Sequence, residues 1–491
     1  MQPPKGVSIQ LTSYAFLFAF LPVTLLVYWL LPRGVWRLAF LVLASWVFVG
    51  WYDWRSVFIM VGATFVDWAA ALLIARSSRR PPSGAPAGAD GASVGDAGRR
   101  RAILVLALLA NVAILGYFKY RGFFLDSLDG LGSWIGLDLD LPALKVLLPL
   151  GISFYTFSAM SYVIDVYRGD APATRSLLRY AAFIALFPRA IAGPILRWRD
   201  VEGDFADLPR RLTTRLAALG LFFIACGMAK KLLVADVLLP RVDELFANAA
   251  NLRFFSGWAA ALGYSLQLYF DFSGYSDMAV GIAYLLGFHF PQNFDSPYKA
   301  ANPSQFWRRW HMTLSFWLRD YVYIPLGGSR RGMSVTVRNL MLTFIVAGIW
   351  HGAGWTFIVW GLLHGLYQSV HAVARSKGMT PKSQWLNRGL TFVAVVVAWV
   401  FFRASTLEQA CHVLKAMTGL NGLGSLYSAK VQIGYAFTLL IVAGLAWVNL
   451  APNTWEIEPR PTWRYGVVFG LLLGAAVLAM GKPAEFVYVQ F

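Results

Sequence analysis

Apolar runs of membrane-crossing length recur along the whole sequence, and they constrain its fold more than any other feature. Examples are the segments 11–31, 35–52, 57–75, 103–118, 216–239 and 466–480. A helix of about 20 apolar residues crosses the roughly 30 Å hydrocarbon core of a bilayer. Because backbone polar groups in lipid have to be paired within the chain, these runs predict helices. The sequence therefore indicates an all-α, multi-spanning membrane protein.

Composition and charge support this fold class. Of 491 residues, 58% are hydrophobic and only 14% are charged, whereas a soluble domain carries roughly 25% charged residues. The formal net charge of +18 comes from basic residues in short loops beside apolar runs, the positive-inside pattern. We therefore expect contact with membrane lipids and no nucleic-acid partner. Cys226 and Cys411 predict neither a disulfide framework nor a metal cluster.

The segment 76–101 is rich in Pro, Gly, Ala and Ser and carries six arginines. Such a composition cannot bury a core, so it predicts a flexible loop, and its arginines predict that the loop is cytoplasmic. Three apolar runs precede it, which places the N-terminus on the outer side. We interpret the first run as a retained helix and not as a signal peptide.

Two central segments, 177–211 and 289–334, mix apolar residues with Pro, Gly, Arg and Asp too densely for lipid-facing helices. Irregular backbone at membrane depth has to be enclosed by protein or line water. We predict re-entrant or amphipathic helices there, lining a funnel, inside a ring of roughly ten to twelve spanning helices. No internal repeat is apparent, and residues 1–491 are expected to form one membrane-embedded domain.

Polar groups inside apolar segments are the first candidates for a site, because they are costly in a membrane and usually face an interior or a cavity. Asp271 and Ser273 lie in the otherwise apolar stretch 267–277, and Asn293 begins the stretch 293–298. The same residue types also cap and pair broken helices. The sequence leaves structural and substrate-binding roles equally open.

The segment 306–320 reads FWRRWHMTLSFWLRD. On helical spacing, Trp307 and His311 share one face, while the basic residues reach other faces. One interpretation is a surface helix with arginines among lipid headgroups, and the other is a polar funnel that holds an anionic acyl donor. For the second we predict a donor-binding set, Trp307, Arg308, Arg309, Arg319 and Asp320.

A further histidine, His351, follows Trp350 in the apolar span 340–360, and Gly352 and Gly354 beside it permit close approach of a ligand or backbone. A lone histidine in such a span is more often a core residue than a catalyst. A second histidine 40 residues earlier and nearby tryptophans favour catalysis, with Trp350 at the substrate and the helices within 335–376 carrying the catalytic histidine. We assign no role to the four remaining histidines, His289, His364, His371 and His412.

Three common catalytic motifs are missing from the sequence: the Gly-x-Ser-x-Gly elbow, the His-Glu-x-x-His metal pair and the phosphate-binding Gly-x-x-x-x-Gly-Lys loop. A histidine base that deprotonates an acceptor hydroxyl beside a thioester needs neither a metal nor a protein nucleophile. We therefore expect no metal site and no tightly bound cofactor.

The motifs FWRRWHMTLSFWLRDYVYIPLGGSR and IWHGAGWTFIVWGLLHG, with DFSGYSDMAVGIAYLLGFHFPQNFDSPY and FPRAIAGPILR, resemble the membrane-bound O-acyltransferase superfamily. The resemblance runs from about residue 147 to the C-terminus. It is closest to the bacterial branch that acetylates alginate and more distant for the branch that transfers D-alanine to teichoic acid. Arg189 departs from the polar Gln usual at that position, and the loop 76–101 is longer than expected.

The resemblance implies a ring of helices around a tunnelled centre, with His351 as the central catalytic histidine and His311 as the second. It implies a bacterial inner-membrane location, so that the N-terminus predicted above to lie on the outer side is periplasmic, and acetyl-CoA as the cytoplasmic donor. It also implies a periplasmic SGNH-type acetyltransferase within a polysaccharide secretion complex as partner, and an exported polysaccharide such as alginate as product. A D-alanyl-type transferase fed by an acyl carrier protein, a transporter and an inactive scaffold are the alternatives.

Overall fold

In the computed structural model, residues 10–77, 94–137, 148–424, 433–460 and 462–481 are described. These residues form helices and connecting turns, and none of them lies in a strand. The predicted all-α class is therefore confirmed. The chain divides into two compact units: the first comprises Met1–Gly220 with Ile282–Phe290, and the second comprises Leu221–Gly281 with Pro291–Phe491.

The α-helices are numbered in chain order. From the N-terminus to residue 286 they are α1 (Leu21–Leu30), α2 (Val35–Arg76), α3 (Val94–Leu115), α4 (Arg121–Trp134), α5 (Ile152–Arg168), α6 (Leu177–Ala185), α7 (Trp198–Ala206), α8 (Thr214–Met228), α9 (Asp236–Ala247) and α10 (Phe254–Leu286). The remainder are α11 (Pro303–Trp307), α12 (Met312–Leu318), α13 (Met333–His351), α14 (Trp355–Ser376), α15 (Gln384–Arg403), α16 (Leu407–Met417), α17 (Tyr435–Leu450) and α18 (Trp463–Leu478).

Among the described residues, five helical stretches are long and apolar enough to cross a membrane, and three shorter apolar helices accompany them. The five are Val35–Arg76, Asp96–Trp134, Thr214–Ala247, Met333–His351 and Gln384–Arg403. By this criterion the count falls below the predicted ten to twelve. Helices α10 and α14 are long enough but too polar to be counted, since they carry buried side chains such as Asp271, Asp277 and His364.

Helix α2 contains two of the apolar runs that the sequence predicts as separate spans. Asp53 interrupts it with extended backbone angles, φ −156° and ψ 114°, at the boundary between the runs 35–52 and 57–75. The predicted loop 76–101 is shorter than expected at both ends. Arg76 still ends α2, and α3 already begins at Val94. The residues between them, 78–93, lie outside the described part of the chain.

The first unit encloses the segment 177–211, where irregular backbone was predicted. This segment forms the two short helices α6 and α7, joined by the 3-10 turn Phe187–Arg189. Arg189 is buried, and its guanidinium donates to Ser158 Oγ at 2.6 Å and to the Ile184 carbonyl at 3.1 Å. Arg189, which stands where the family motif usually has Gln, is therefore a buried cation held by hydrogen bonds within the protein. The re-entrant character of the segment stays a prediction.

In the second unit, α13 and α14 form an antiparallel hairpin held by close backbone contact. A Cβ on Gly348 would lie 2.4 Å from the Phe357 carbonyl oxygen, and one on Gly361 would lie 2.3 Å from that of Phe344. Only glycine permits this separation. The contact sets the register of the hairpin and holds His351, the last residue of α13, against α14.

Candidate functional site

His311 lies at a break in the chain and not within a continuous helix. Helix α11 ends at Trp307 and α12 begins at Met312, so the predicted helix through 306–320 is wrong. His311 is the N-cap of α12, in the left-handed region at φ 42° and ψ 54°. That conformation is unusual for a residue other than glycine, and it is retained where surrounding contacts compensate for its cost.

Asn293 supplies those contacts. Its main-chain oxygen accepts from the Met312 amide at 2.9 Å, and its side-chain Oδ1 lies 3.1 Å from His311 Nδ1. The same Oδ1 accepts from the Thr313 amide at 3.3 Å and the Thr313 hydroxyl at 2.9 Å. Its Nδ2 donates to Ser276 Oγ at 3.1 Å. Asn293, predicted from the sequence as a substrate-binding residue, thus fixes the loop that carries His311.

These bonds also define the tautomer of His311. A main-chain N–H can only donate, so the Asn293 atom that receives the Thr313 amide is the carbonyl oxygen. His311 Nδ1 must then donate its proton to that oxygen, which leaves the lone pair on Nε2. Burial lowers the pKa of the His311 imidazole to about 3, and the ring is fully buried. His311 is therefore neutral at physiological pH.

His351 is also buried, with 3% of its surface exposed. It ends α13, and Gly352 and Gly354 adopt extended conformations before α14 begins at Trp355. The prediction that His351 lies in the middle of a span over 340–360 is therefore wrong. His351 therefore lies at the end of a helix, next to the extended backbone of Gly352 and Gly354.

Aromatic rings join the buried histidines into one group. The His351 ring lies 4.9 Å from the Trp350 ring and 4.7 Å from the Trp360 ring, measured between centroids. Trp350 also contacts His311, at 6.1 Å. The structure thus brings together His311, Trp350 and His351 as the sequence predicted. We call His311, Trp350, His351, Trp360 and His364 the histidine cluster.

His364 has no role predicted from the sequence, yet it belongs to this cluster. Its ring lies 4.9 Å from Trp360, and its Nδ1 accepts a hydrogen bond of 3.2 Å from Trp307 Nε1. Trp307, predicted as a donor-binding residue, therefore holds His364. The signal available in the sequence was spacing: His364 follows Trp360 by four residues, so both lie on the same face of α14.

Asp271 and Ser273, two further predicted substrate-binding residues, lie on the buried helix α10. Asp271 Oδ1 lies 2.7 Å from Lys231 Nζ, which also pairs with Asp236 at 2.8 Å. The residue between them in sequence, Phe272, contacts the His311 ring at 4.7 Å. Helix α10 therefore supports the cluster through Phe272, while Asp271 belongs to a buried ion-pair network.

The three predicted donor-binding arginines lie in different surroundings. Arg309 donates to the Asp295 carbonyl at 3.1 Å. Arg319 forms a two-pronged contact with Asp320, at 2.7 and 3.1 Å. Arg308 is exposed and lines a surface cavity. The structure therefore does not gather these side chains at one point.

Within the described residues, no group of three His, Cys, Asp or Glu side chains could hold a metal ion. The chemistry that the cluster offers is that of buried imidazoles in an aromatic enclosure. A neutral imidazole can remove the proton of a hydroxyl. The surrounding rings exclude water, which would otherwise compete with the acceptor for an activated acyl group.

Comparison with known proteins identifies the family of the chain. The model of the membrane-bound O-acyltransferase family matches residues 106–407. A probable alginate O-acetylase of Pseudomonas putida is 41% identical over 92% of this chain and 89% of its own. The peptidoglycan O-acetyltransferase of Helicobacter pylori is 39% identical over 84% and 81%. The teichoic acid D-alanyltransferase of Bacillus subtilis is 30% identical over 51% and 66%.

The family match includes His311, His351 and His364, so the whole histidine cluster lies inside the matched region. The spanning helices and this match make the protein a multi-pass membrane acyltransferase. The chain belongs to the membrane-bound O-acyltransferase family.

Proposed function

We propose that the protein takes an acetyl group from cytoplasmic acetyl-CoA and passes it across the bacterial inner membrane for O-acetylation of an exported polysaccharide such as alginate. The observation that carries this proposal is the histidine cluster, in which two buried histidine rings contact Trp350. The acetyl group is favoured over D-alanine because the two acetyltransferase relatives match far more of this chain than the D-alanyltransferase does.

In the proposed reaction, His351 removes the proton from an acceptor hydroxyl. The resulting oxygen attacks the thioester carbonyl, a carbon–oxygen bond forms and the carbon–sulfur bond breaks. The proton then passes from His351 to the departing coenzyme A thiolate, so His351 returns to its neutral form. General-base catalysis of this kind contributes about a hundred- to ten-thousand-fold in rate.

The tautomer of His311 limits what it can do. The second histidine of such a site can either orient the donor or polarise its carbonyl. Polarising a carbonyl requires an N–H donor, but its Nδ1 proton is directed at Asn293 Oδ1, 3.1 Å away. We infer that His311 orients the donor by accepting a hydrogen bond at Nε2, for example from an amide N–H of the pantetheine arm.

Arg319 is the arginine that best fits the phosphates of coenzyme A. It directly follows α12, the helix that His311 caps. At 1.5 Å per residue, the eight residue steps from His311 to Arg319 correspond to about 12 Å along a helix axis. The Arg319 side chain is 53% exposed, so a phosphate can reach its guanidinium, whereas Asp320 is only 14% exposed. A coenzyme A phosphate would share Arg319 with this carboxylate rather than replace it.

We further propose that a periplasmic SGNH-type acetyltransferase in a secretion complex receives the acetyl group, on a serine, and delivers it to the polymer. The chain would then lie in the inner membrane with its N-terminus in the periplasm. Purified protein is incubated with acetyl-CoA carrying a labelled acetyl group, together with this partner and the polysaccharide. Labelled polymer supports the proposal. Transfer only from a D-alanyl carrier protein supports the D-alanyl alternative, and no transfer from either donor supports a transporter or scaffold.

A further inference from the structure

A second site candidate lies outside the histidine cluster, in a surface cavity of about 550 Å³. It is lined by residues between Ala301 and Arg308, by the second half of α14 and by the first half of α15. Three basic side chains line it, Arg308, His371 and Arg375. We call it the cationic cavity.

The charge of the cationic cavity is not balanced by its own lining. None of the described residues that line it is an aspartate or glutamate. Burial and the positive charges of Arg375 and Arg308 lower the pKa of the His371 imidazole. Both arginines therefore lie close enough to His371 to repel a positive charge there. An anionic group in this cavity would gain contacts with both guanidinium groups.

The opposite end of the cavity is apolar and faces outward. Leu366, Val370 and Leu390 line it, and their side chains are 49%, 59% and 55% exposed. On α14 the apolar residues precede His371 and Arg375, while on α15 the polar Asn387 precedes Leu390. Because a short connection joins the two helices, their polar ends lie together at that connection and their apolar parts lie together farther along.

Neighbouring side chains are typical of a membrane–water boundary. Trp385 and Met379 are 79% and 70% exposed and lie in or beside the connection between α14 and α15. Exposed tryptophan is characteristic of the interfacial region of a bilayer. The basic end of the cavity thus lies next to residues suited to the headgroup layer, and its apolar end next to residues suited to lipid chains.

We propose that the cationic cavity binds one anionic phospholipid. Its phosphate would contact Arg308 and Arg375, since a guanidinium binds phosphate through two parallel hydrogen bonds. One acyl chain would lie along Leu366, Val370 and Leu390. The acyl donor fits less well, because no residue of the histidine cluster lines this cavity.

The test measures lipid retained by purified protein. Native mass spectrometry follows binding of phosphatidylglycerol and, in parallel, of zwitterionic phosphatidylcholine to the wild-type protein and to Arg308→Gln, Arg375→Gln and Arg388→Gln. Arg388 is the matched control, because it stacks on Trp385 beside the cavity and does not line it. We expect each cavity substitution to weaken phosphatidylglycerol binding about tenfold, the effect of losing one charge-assisted bond. Arg388→Gln should bind like the wild type.

Equal retention of phosphatidylglycerol by Arg375→Gln and the wild type would overturn the proposal. So would equal binding of phosphatidylcholine, because the site would then not select for negative charge. A third contrary result is displacement of phosphatidylglycerol by coenzyme A together with a raised KM for acetyl-CoA in Arg375→Gln, which would make the cavity a donor site. Arg375→Lys keeps the charge and should retain part of the binding, so it separates charge loss from misfolding.

Discussion

Replacing Asn293 by alanine removes the group that fixes His311. The His311 Nδ1–H and the Thr313 amide both lose their acceptor, Asn293 Oδ1, inside the protein. A hydrogen bond contributes about 0.5–1.5 kcal/mol net, so losing these two should lower the free energy of unfolding by about 1–3 kcal/mol. Without Asn293 Oδ1 as acceptor, the His311 proton is also no longer held on Nδ1, so the ring exchanges between its two tautomers. A bias of about 1.4 kcal/mol corresponds to a tenfold change in the ratio of the two tautomers, so we expect acetyl transfer to fall by roughly two- to tenfold.

Asn293→Asp separates these effects. The carboxylate keeps the acceptor but adds a negative charge beside His311, which favours the imidazolium and raises the pKa of His311. A protonated His311 has no lone pair at Nε2, so this variant should be inactive at low pH and recover as the pH rises above the raised pKa. His311 should contribute no such step in the wild type, since burial lowers the pKa of His311 to about 3.

The assay is acetyl transfer by purified, monodisperse protein across a pH series, with thermal stability measured alongside. Thr313→Val is the control, because it removes one hydroxyl donor to the same oxygen and leaves the His311 contact in place. It should transfer acetyl groups at close to the wild-type rate. A wild-type rate in Asn293→Ala, or a pH-independent rate in Asn293→Asp, would refute the role of this asparagine.

Three other substitutions have distinct expected outcomes. Arg319→Gln should raise KM for acetyl-CoA about tenfold with little change in kcat, and an unchanged KM in steady-state assays would exclude Arg319 from the donor site. His364→Phe should lower the free energy of unfolding by about 1–3 kcal/mol, because Trp307 loses its acceptor. It should leave binding of acetyl-CoA unchanged, and a loss of that binding would make His364 a donor contact. Lys231→Met should lower the free energy of unfolding by about 3–5 kcal/mol, because Asp271 and Asp236 would lose the cation that they share. A yield of folded protein equal to that of the wild type in size-exclusion chromatography would contradict this pairing.

The sequence predicts the fold class and three members of the cluster, and for the two histidines among them the physical reason is clear. Polar side chains such as His311 and His351 are rare and costly in apolar segments, so they are conspicuous. The break at His311 was not predictable from local pattern, because the segment 306–320 contains neither glycine nor proline. The left-handed conformation there depends on Asn293, a residue distant in sequence.

His364 and Asp271 illustrate a second limit. The position of His364 beside Trp360 follows from their four-residue spacing on α14, but only the three-dimensional packing brings His364 to Trp307. Conversely, Asp271 has the expected appearance of a substrate-binding carboxylate, yet it pairs with Lys231, 40 positions earlier. Periodicity identifies the face on which a residue lies, but not the element that packs against it.

The most direct test of the proposed function is acetyl transfer by His351→Ala. Purified wild-type and variant protein are compared with acetyl-CoA as donor, and donor binding is measured separately on the same preparations. We expect the variant to fold and to bind acetyl-CoA, but to lose transfer by about a hundred- to ten-thousand-fold, the usual contribution of a general base. Transfer at the wild-type rate by folded His351→Ala would contradict the mechanism.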